Sequence, residues 1–231
     1  MNIKVKALLI IVAAASCLAS CKKNANDKPD AASDVSSLNV INATFNDVNV
    51  YQNGNRINQT STYYPGGTLG YLSVKSGTQN YAAKINGTSN ELFNIPMTLS
   101  KDSIYSFYVA GTTADQVFKT TDVLASDTGT SPMAKIRLVN ASPDGGNLVW
   151  HFEAKVNNTT FDTVKLRDVA FKTTSDFLLV KPGVHNMALY ANGSLTQTAR
   201  DTVELVGGKV YTYYGFGNKT TGLGTGLFTN R

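Results

Sequence analysis

The chain has 231 residues, 21 lysines and arginines against 16 acids, and a formal net charge of +5. The basic residues are scattered singly, which excludes the basic run expected of a nucleic-acid partner. With only Cys17 and Cys21, and only His151 and His185, the chain lacks the residues for a cysteine-rich metal cluster or a disulfide framework.

At the N-terminus Lys4 and Lys6 precede an apolar run, Ala7 to Ala15, with Leu8, Leu9, Ile10, Ile11 and Val12 at its centre. A run this short cannot cross a hydrocarbon core, which takes about 20 apolar residues. A positive flank, a short apolar core and small residues after it predict a secretory signal peptide over residues 1–20. Its ending, Leu18-Ala19-Ser20-Cys21, resembles the bacterial lipobox. That resemblance implies cleavage before Cys21, a diacylglyceryl thioether on its sulfur and an N-acyl chain (palmitate or similar), hence attachment to the outer membrane. Several acyl chains, each contributing about 0.8 kcal/mol per buried methylene, hold a protein firmly. Cys17, after Ala14-Ala15-Ser16, is the weaker candidate because it lacks the leucine. With one cysteine removed and the other lipidated, the mature chain is expected to have no disulfide, thiolate nucleophile or cysteine ligand. Surface lipoproteins of similar type carry acids directly after the cysteine. Here Lys22-Lys23-Asn24-Ala25-Asn26 stand there and Asp27 is the first acid, which leaves outward and periplasmic display both open.

Residues 21–36 are polar, without an aromatic, and read as a flexible tether. Beyond it the chain repeats. Tyr71-Leu72-Ser73-Val74-Lys75-Ser76-Gly77 aligns with Phe177-Leu178-Leu179-Val180-Lys181-Pro182-Gly183, an offset of 106. The same offset aligns Asn86 with Asn192, Tyr105 with Tyr211, Tyr108 with Tyr214 and Gly111 with Gly217. Upstream, Val40-Ile41-Asn42-Ala43 aligns with Leu138-Val139-Asn140-Ala141 at an offset of 98. The second copy therefore holds eight extra residues, expected between Asn147 and Asp176. Two domains follow, residues 37–131 and 132–231, each large enough for its own core.

Both copies read as β structure. Ala134-Lys135-Ile136-Arg137-Leu138 alternates, and Lys209-Val210-Tyr211-Thr212-Tyr213 is β-branched and aromatic. Asn53-Gly54, Asn86-Gly87, Asn192-Gly193 and Gly207-Gly208 mark turns. Phe118 to Leu124 is expected to be the last strand of the first copy, before a polar link over residues 125–132. Short strands with such turns predict an all-β chain of two tandem sandwiches. Ala134-Lys135-Ile136-Arg137-Leu138-Val139-Asn140-Ala141-Ser142-Pro143-Asp144 resembles the opening of domain of unknown function 4397, a family of exported bacterial proteins often found in tandem. Phe177 to Asn186 and Gly207 to Tyr214 are similar to its later signatures. The resemblance implies an immunoglobulin-like sandwich and no particular activity.

Site chemistry is sparse. Neither His185 nor His151 has partners nearby in sequence, so each is read as structural rather than catalytic. Asp144 with Gly145-Gly146 has calcium-ligand chemistry, but the acids do not cluster and a turn-capping role is expected. No Gly-x-Ser-x-Gly elbow occurs, and a nucleophile would have no base. Asp102-Ser103-Ile104, Asp162-Thr163-Val164 and Asp201-Thr202-Val203 resemble a glycosylation triplet of exported proteins. One face of the strand carrying Tyr211 and Tyr213 must be core. Tyr63, Tyr64 and Trp150 are the better candidates for exposed aromatics that bind a partner. The expectation is a protein without catalysis, metal or cofactor, held to the membrane by acyl chains on Cys21 and binding a protein or glycan. The alternative is an assembly component joined by strand addition.

Overall fold

The computed structural model describes residues 34–122, 133–156, 160–191, 197–220 and 222–230. The expected signal peptide, Cys21, residues 22–33 of the expected tether and the expected link over residues 125–132 lie outside them, while Val35 and Ser36, expected in the tether, open the first strand. Residues 35–231 form one compact unit.

Among the described residues the unit contains sixteen strands and one 3-10 turn, Ala114–Gln116. In the first repeat β4 (Gly67–Lys75), β1 (Val35–Asn42), β7 (Ile104–Val109) and β8 (Val117–Thr121) form one sheet, in that order. It faces a sheet of β3 (Asn55–Arg56), β2 (Val48–Gln52), β5 (Gly77–Ile85) and β6 (Glu91–Leu99). The second repeat has the same plan. β12 (Leu178–Val180), β9 (Ala134–Ala141), β15 (Val210–Asn218) and β16 (Gly222–Thr229) face β11 (Thr160–Val169), β10 (Leu148–Val156), β13 (Gly183–Ala191) and β14 (Gln197–Leu205). In each copy the opening strand pairs parallel with the long aromatic strand, β1 with β7 and β9 with β15, and all other pairs are antiparallel. The expected last strand of repeat 1 is observed over Val117–Thr121 and ends before Asp122, and residues 123–124 lie outside the described residues.

Two cores follow from the period-2 alternation. Leu38, Val40, Val50, Tyr81, Phe93, Tyr105, Phe107 and Val109 fill the first, and Ile136, Leu138, Trp150, Met187, Leu189, Tyr211 and Tyr213 the second. The repeat signatures are cross-links. Asn42 donates from Nδ2 to the carbonyls of Asn46 (2.6 Å) and Tyr63 (2.8 Å), and its Oδ1 accepts from the Thr44 N–H. Asn140 makes the same set with Gly146, Val169 and Ser142. The Tyr105 hydroxyl accepts from the Ser100 N–H, and the equivalent Tyr211 hydroxyl from the Val206 N–H. A tyrosine bonded a few residues back is the corner device of immunoglobulin-like sandwiches. Asn53 and Gly54 both adopt positive φ, 49° and 82°, as the predicted tight hairpin requires.

The register divides the eight-residue insertion. Val50 pairs Ala83 while Trp150 pairs Leu189, so β2 and β10 are offset by 100. Two extra residues thus precede Leu148, in the Pro143 loop, and six extend the β10–β11 hairpin. The first two fall outside the interval expected from sequence, because no pattern in that loop marks where the copies diverge.

A third cluster joins the repeats. The remaining face of the two long-strand sheets is buried between them: Ile41, Ala43, Tyr108 and Ala110 meet Val139, Ala141, Tyr214, Phe216 and Phe228. The equivalent rings Tyr108 and Tyr214 meet edge to face at 6.1 Å, and the Tyr214 hydroxyl donates to the Gly66 carbonyl. Beside them runs a closed polar ring. Arg137 pairs with Asp122 and donates from Nε to Thr212 (3.0 Å); Thr212 donates to Asn230 Oδ1 (2.7 Å). Asn230 donates to the Tyr71 hydroxyl (3.0 Å), which donates to Asp122 Oδ2 (2.7 Å), while Ser106 also donates to Asp122.

The seam fixes direction. Asp122 lies beside the start of β7, its N–H donating to the Ile104 carbonyl, and Arg137 lies near the start of β9. Both opening strands therefore start at one end, where residue 34 leads into Val35, and finish at the other, about 26 Å away for an eight-residue strand.

Candidate functional site

At the far end the loops after β1, β7 and β9 and the end of β15 surround a cleft of about 370 Å³. Ala43, Ala110, Gly111 and Gly217 are the small residues of its lining; Phe45 and Pro143 add apolar surface, and Thr44, Asn46, Thr112, Gln116, Asp144 and Asn218 add polar groups. The site uses equivalent positions of the two copies, Gly111 with Gly217 and Thr112 with Asn218, so it exists only in the joined tandem. Its asymmetry comes from one exchange: Phe216 fills the position that Ala110 occupies in the first repeat. The exposed Phe45 ring lies against Phe216 at 5.4 Å. Gly217 permits this contact, since it has φ 93° and an added Cβ would come within 2.6 Å of the Phe45 ring.

The polar groups are held in place. Gln116 accepts from the Thr112 N–H (3.0 Å), and Asn218 from the Thr220 N–H (2.9 Å). Asp144 does not cap its own turn as expected. Its Oδ1 accepts from the Lys219 N–H (3.0 Å) and bridges the two loops, while Asn140 and Ser142 satisfy the turn. Among the described residues no group of three or more His, Cys, Asp or Glu could hold a metal, and no helix is long and apolar enough to cross a membrane.

Of the aromatics predicted as binding residues, Tyr64 is exposed (61 %), but Tyr63 and Trp150 are buried, at 1 % and 0 %. A buried ring cannot stack on a partner, so these two are corrected to core residues. Tyr63 accepts from Asn42 through its carbonyl, and Trp150 occupies the place of Val50 in the enlarged second core. Phe45 was missed because Ala43-Thr44-Phe45-Asn46-Asp47 departs from the second copy. That departure was the available signal. His185 is buried and donates from Nε2 to the Lys181 carbonyl at 2.7 Å, and His151 packs against Tyr190 at 4.5 Å; both are remote from the cleft. Ser103 and Thr202 of the triplets lie at a turn and on β14, and Asp162-Thr163-Val164 lies on β11.

No curated protein matches the chain. Among solved structures it is similar to a carbohydrate-binding module of family 26 from Eubacterium rectale Amy13K in complex with maltoheptaose. That match has 13 % identity and a TM-score of 0.23, covering 85 % of this chain and 97 % of that one. It is also similar to candidate cell adhesion proteins from Bacteroides ovatus (12 %, TM-score 0.29, covering 84 % and 96 %) and Bacteroides eggerthii (12 %, TM-score 0.24, covering 84 % and 94 %). The family model for a domain of unknown function, DUF4397, matches residues 36–151 and again 134–231. With both repeats accounted for by that model, the chain belongs to the DUF4397 family.

Proposed function

We propose that this chain is a non-enzymatic, lipid-anchored protein of the outer membrane that binds a protein or glycan partner through the far-end cleft. The observation that carries the reading is the position of the cleft: both repeats build it, at the end opposite the tether. Pockets of this size with a few placed polar groups are ordinary ligand sites. Catalysis has little to work with there, since the lining holds one carboxylate, Asp144, and no histidine. Anchoring rests on the signal peptide and on Leu18-Ala19-Ser20-Cys21. Strand-addition assembly is less favoured, because the outer edges β6 and β14 carry Glu91 and Pro96, and Arg200, Asp201 and Glu204, residues that discourage edge pairing.

Two experiments test it. Cys21→Ala should abolish labelling by a clickable fatty acid and release the protein from membranes; labelling retained in that variant would overturn the anchor. A photo-crosslinking amino acid in place of Phe45 should give a discrete adduct in cells, and one in place of Thr98, on the exposed face of β6, should not. Adducts at position 98 and none at position 45 would remove the cleft as the partner site.

A further inference from the structure

The tether end of the second repeat differs from that of the first in a consistent direction. At the offset of 106, Ser73, Ser76, Thr78 and Ser100 become Leu179, Pro182, Val184 and Val206. Three of the replacements are among the most exposed large apolar residues of the unit: Leu179 at 53 %, Val184 at 60 % and Val206 at 52 %. They surround two turns, Lys181-Pro182-Gly183 and Val206-Gly207-Gly208-Lys209, at the base of β9. Val180 pairs Ala134 there, and the Gly208 N–H donates to the Met133 carbonyl. Val184, paired with Glu204, lies on the outer face of one sheet with Val206 just past the end of β14, and Leu179, paired with Lys135, is exposed on the seam-side face of the other. Lys181 and Lys209 are exposed at the tips. Across both repeats the strand register places Lys75, Lys101, Lys135, Lys155, Lys181 and Lys209 at this end against Asp34, Asp102, Asp162 and Glu204.

We propose that the tether end of the second repeat docks on an anionic phospholipid surface, with Val184, Val206 and Pro182 entering the headgroup layer and Lys181 and Lys209 meeting the phosphates. Exposed apolar tips flanked by lysine suit such a surface, through apolar burial combined with attraction to anionic lipid. The occupant is indicated by where the chain preceding Val35 leads. Residues 22–34 join this end to Cys21, and a polar linker of that length spans roughly 20 Å. The bilayer would then be present at an effective concentration in the millimolar range, so weak intrinsic affinity suffices. The inference rests on the anchored reading, but its test does not depend on lipidation.

The chain from residue 22, without acyl groups, is mixed with vesicles of three parts phosphatidylcholine to one part phosphatidylglycerol and sedimented. Expected is binding at least about threefold above that to phosphatidylcholine alone, falling as salt is raised. Val184→Asp with Val206→Asp should abolish it; both sites are exposed, and circular dichroism confirms the fold of the variant. Equal binding to both vesicle types, no binding, or binding unchanged in the variant would each overturn the proposal. So would a dimer in solution that the variant dissociates, which would assign the surface to a second copy. Fatty-acid labelling of Cys21 reports separately on the anchor.

Discussion

The cores inside each repeat and the seam between the repeats are built from the same strands by different rules. On β7, Tyr105, Phe107 and Val109 point into the first core, while Ser106, Tyr108 and, just past the strand's end, Ala110 point into the seam. On β15, Tyr211 and Tyr213 fill the second core while Thr212, Tyr214 and Phe216 face the seam. The inner faces are packed with apolar side chains. The seam mixes apolar residues with a buried ion pair and its ring of hydroxyl and amide groups. A hydrophobic face alone would let the repeats slide or associate with other surfaces. A charge pair with a complete set of partners fixes one register, because any other leaves Asp122 or Arg137 buried and unpaired.

The largest test of this contrast is the ion pair. Arg137→Ala should destabilise the unit by about 3–5 kcal/mol, since it strands the Asp122 carboxylate. Asp122→Leu combined with Arg137→Met should recover most of that loss, and denaturant titration of the two single variants and the double variant measures it. If the double variant is as unstable as the single ones, the pair is not the relevant coupling.

Next come the aromatic contacts. Tyr214→Ala in the seam and Phe107→Ala in the first core should each cost roughly 3–5 kcal/mol. Calorimetry of the parent chain should show one transition; two separate transitions would mean that the repeats fold independently and the seam is a weak contact. A fragment of residues 132–231 would expose Val139, Tyr214, Phe216 and Phe228 and leave Arg137 without its partner, so it should be less stable than the tandem.

Smaller effects compare the repeats. Asn42→Ala and Asn140→Ala each remove two hydrogen bonds donated to carbonyls and should cost about 0.5–1.5 kcal/mol for each bond. Tyr105→Phe and Tyr211→Phe each remove one acceptor and should cost about 0.5–1.5 kcal/mol. Unequal losses between equivalent positions would show that the two sandwiches contribute unequally to the unit.

The mildest test is alkaline. Burial pushes the Tyr81 hydroxyl up to about 12, and burial likewise raises Tyr71 and Tyr63. Folded values above the ordinary value of 10 favour the neutral form in the native state. Their contribution to stability is therefore present below pH 10 and is lost as pH rises toward the folded values. Unfolding free energy should fall above pH 10, with phenolate absorbance appearing late and together with unfolding. Early, non-cooperative titration of these tyrosines would contradict their burial.

Much of the fold was legible because repetition and alternation are local in sequence. The offset of 106 placed Tyr105 with Tyr211 and the turns with the turns, and the chain is two sandwiches as that pattern implies. The seam was not legible. Alternation shows that a strand has two faces, and it does not say that the second face meets another copy of itself. Arg137 read as the charged half of an alternating strand, with nothing in its neighbourhood naming Asp122 as its partner. Trp150 and Tyr63 looked available because aromatics beside turns often are; their burial depends on pairing with β13 and β2, contacts distant in sequence. The cleft was hidden for the same reason, being made of four separate stretches.

The closed ring also bears on synthesis. A chain made from its N-terminus has Tyr71, Ser106 and Asp122 in place long before Arg137, Thr212 and Asn230 exist to meet them. Until residue 230 emerges, the first sandwich carries a sticky face with Tyr108, Ala110 and Phe118 uncovered. An interrupted or truncated chain would keep that face bare, open to proteases and chaperones that recognise exposed apolar surface. Closure of the ring thus serves as a completeness check written into the interface.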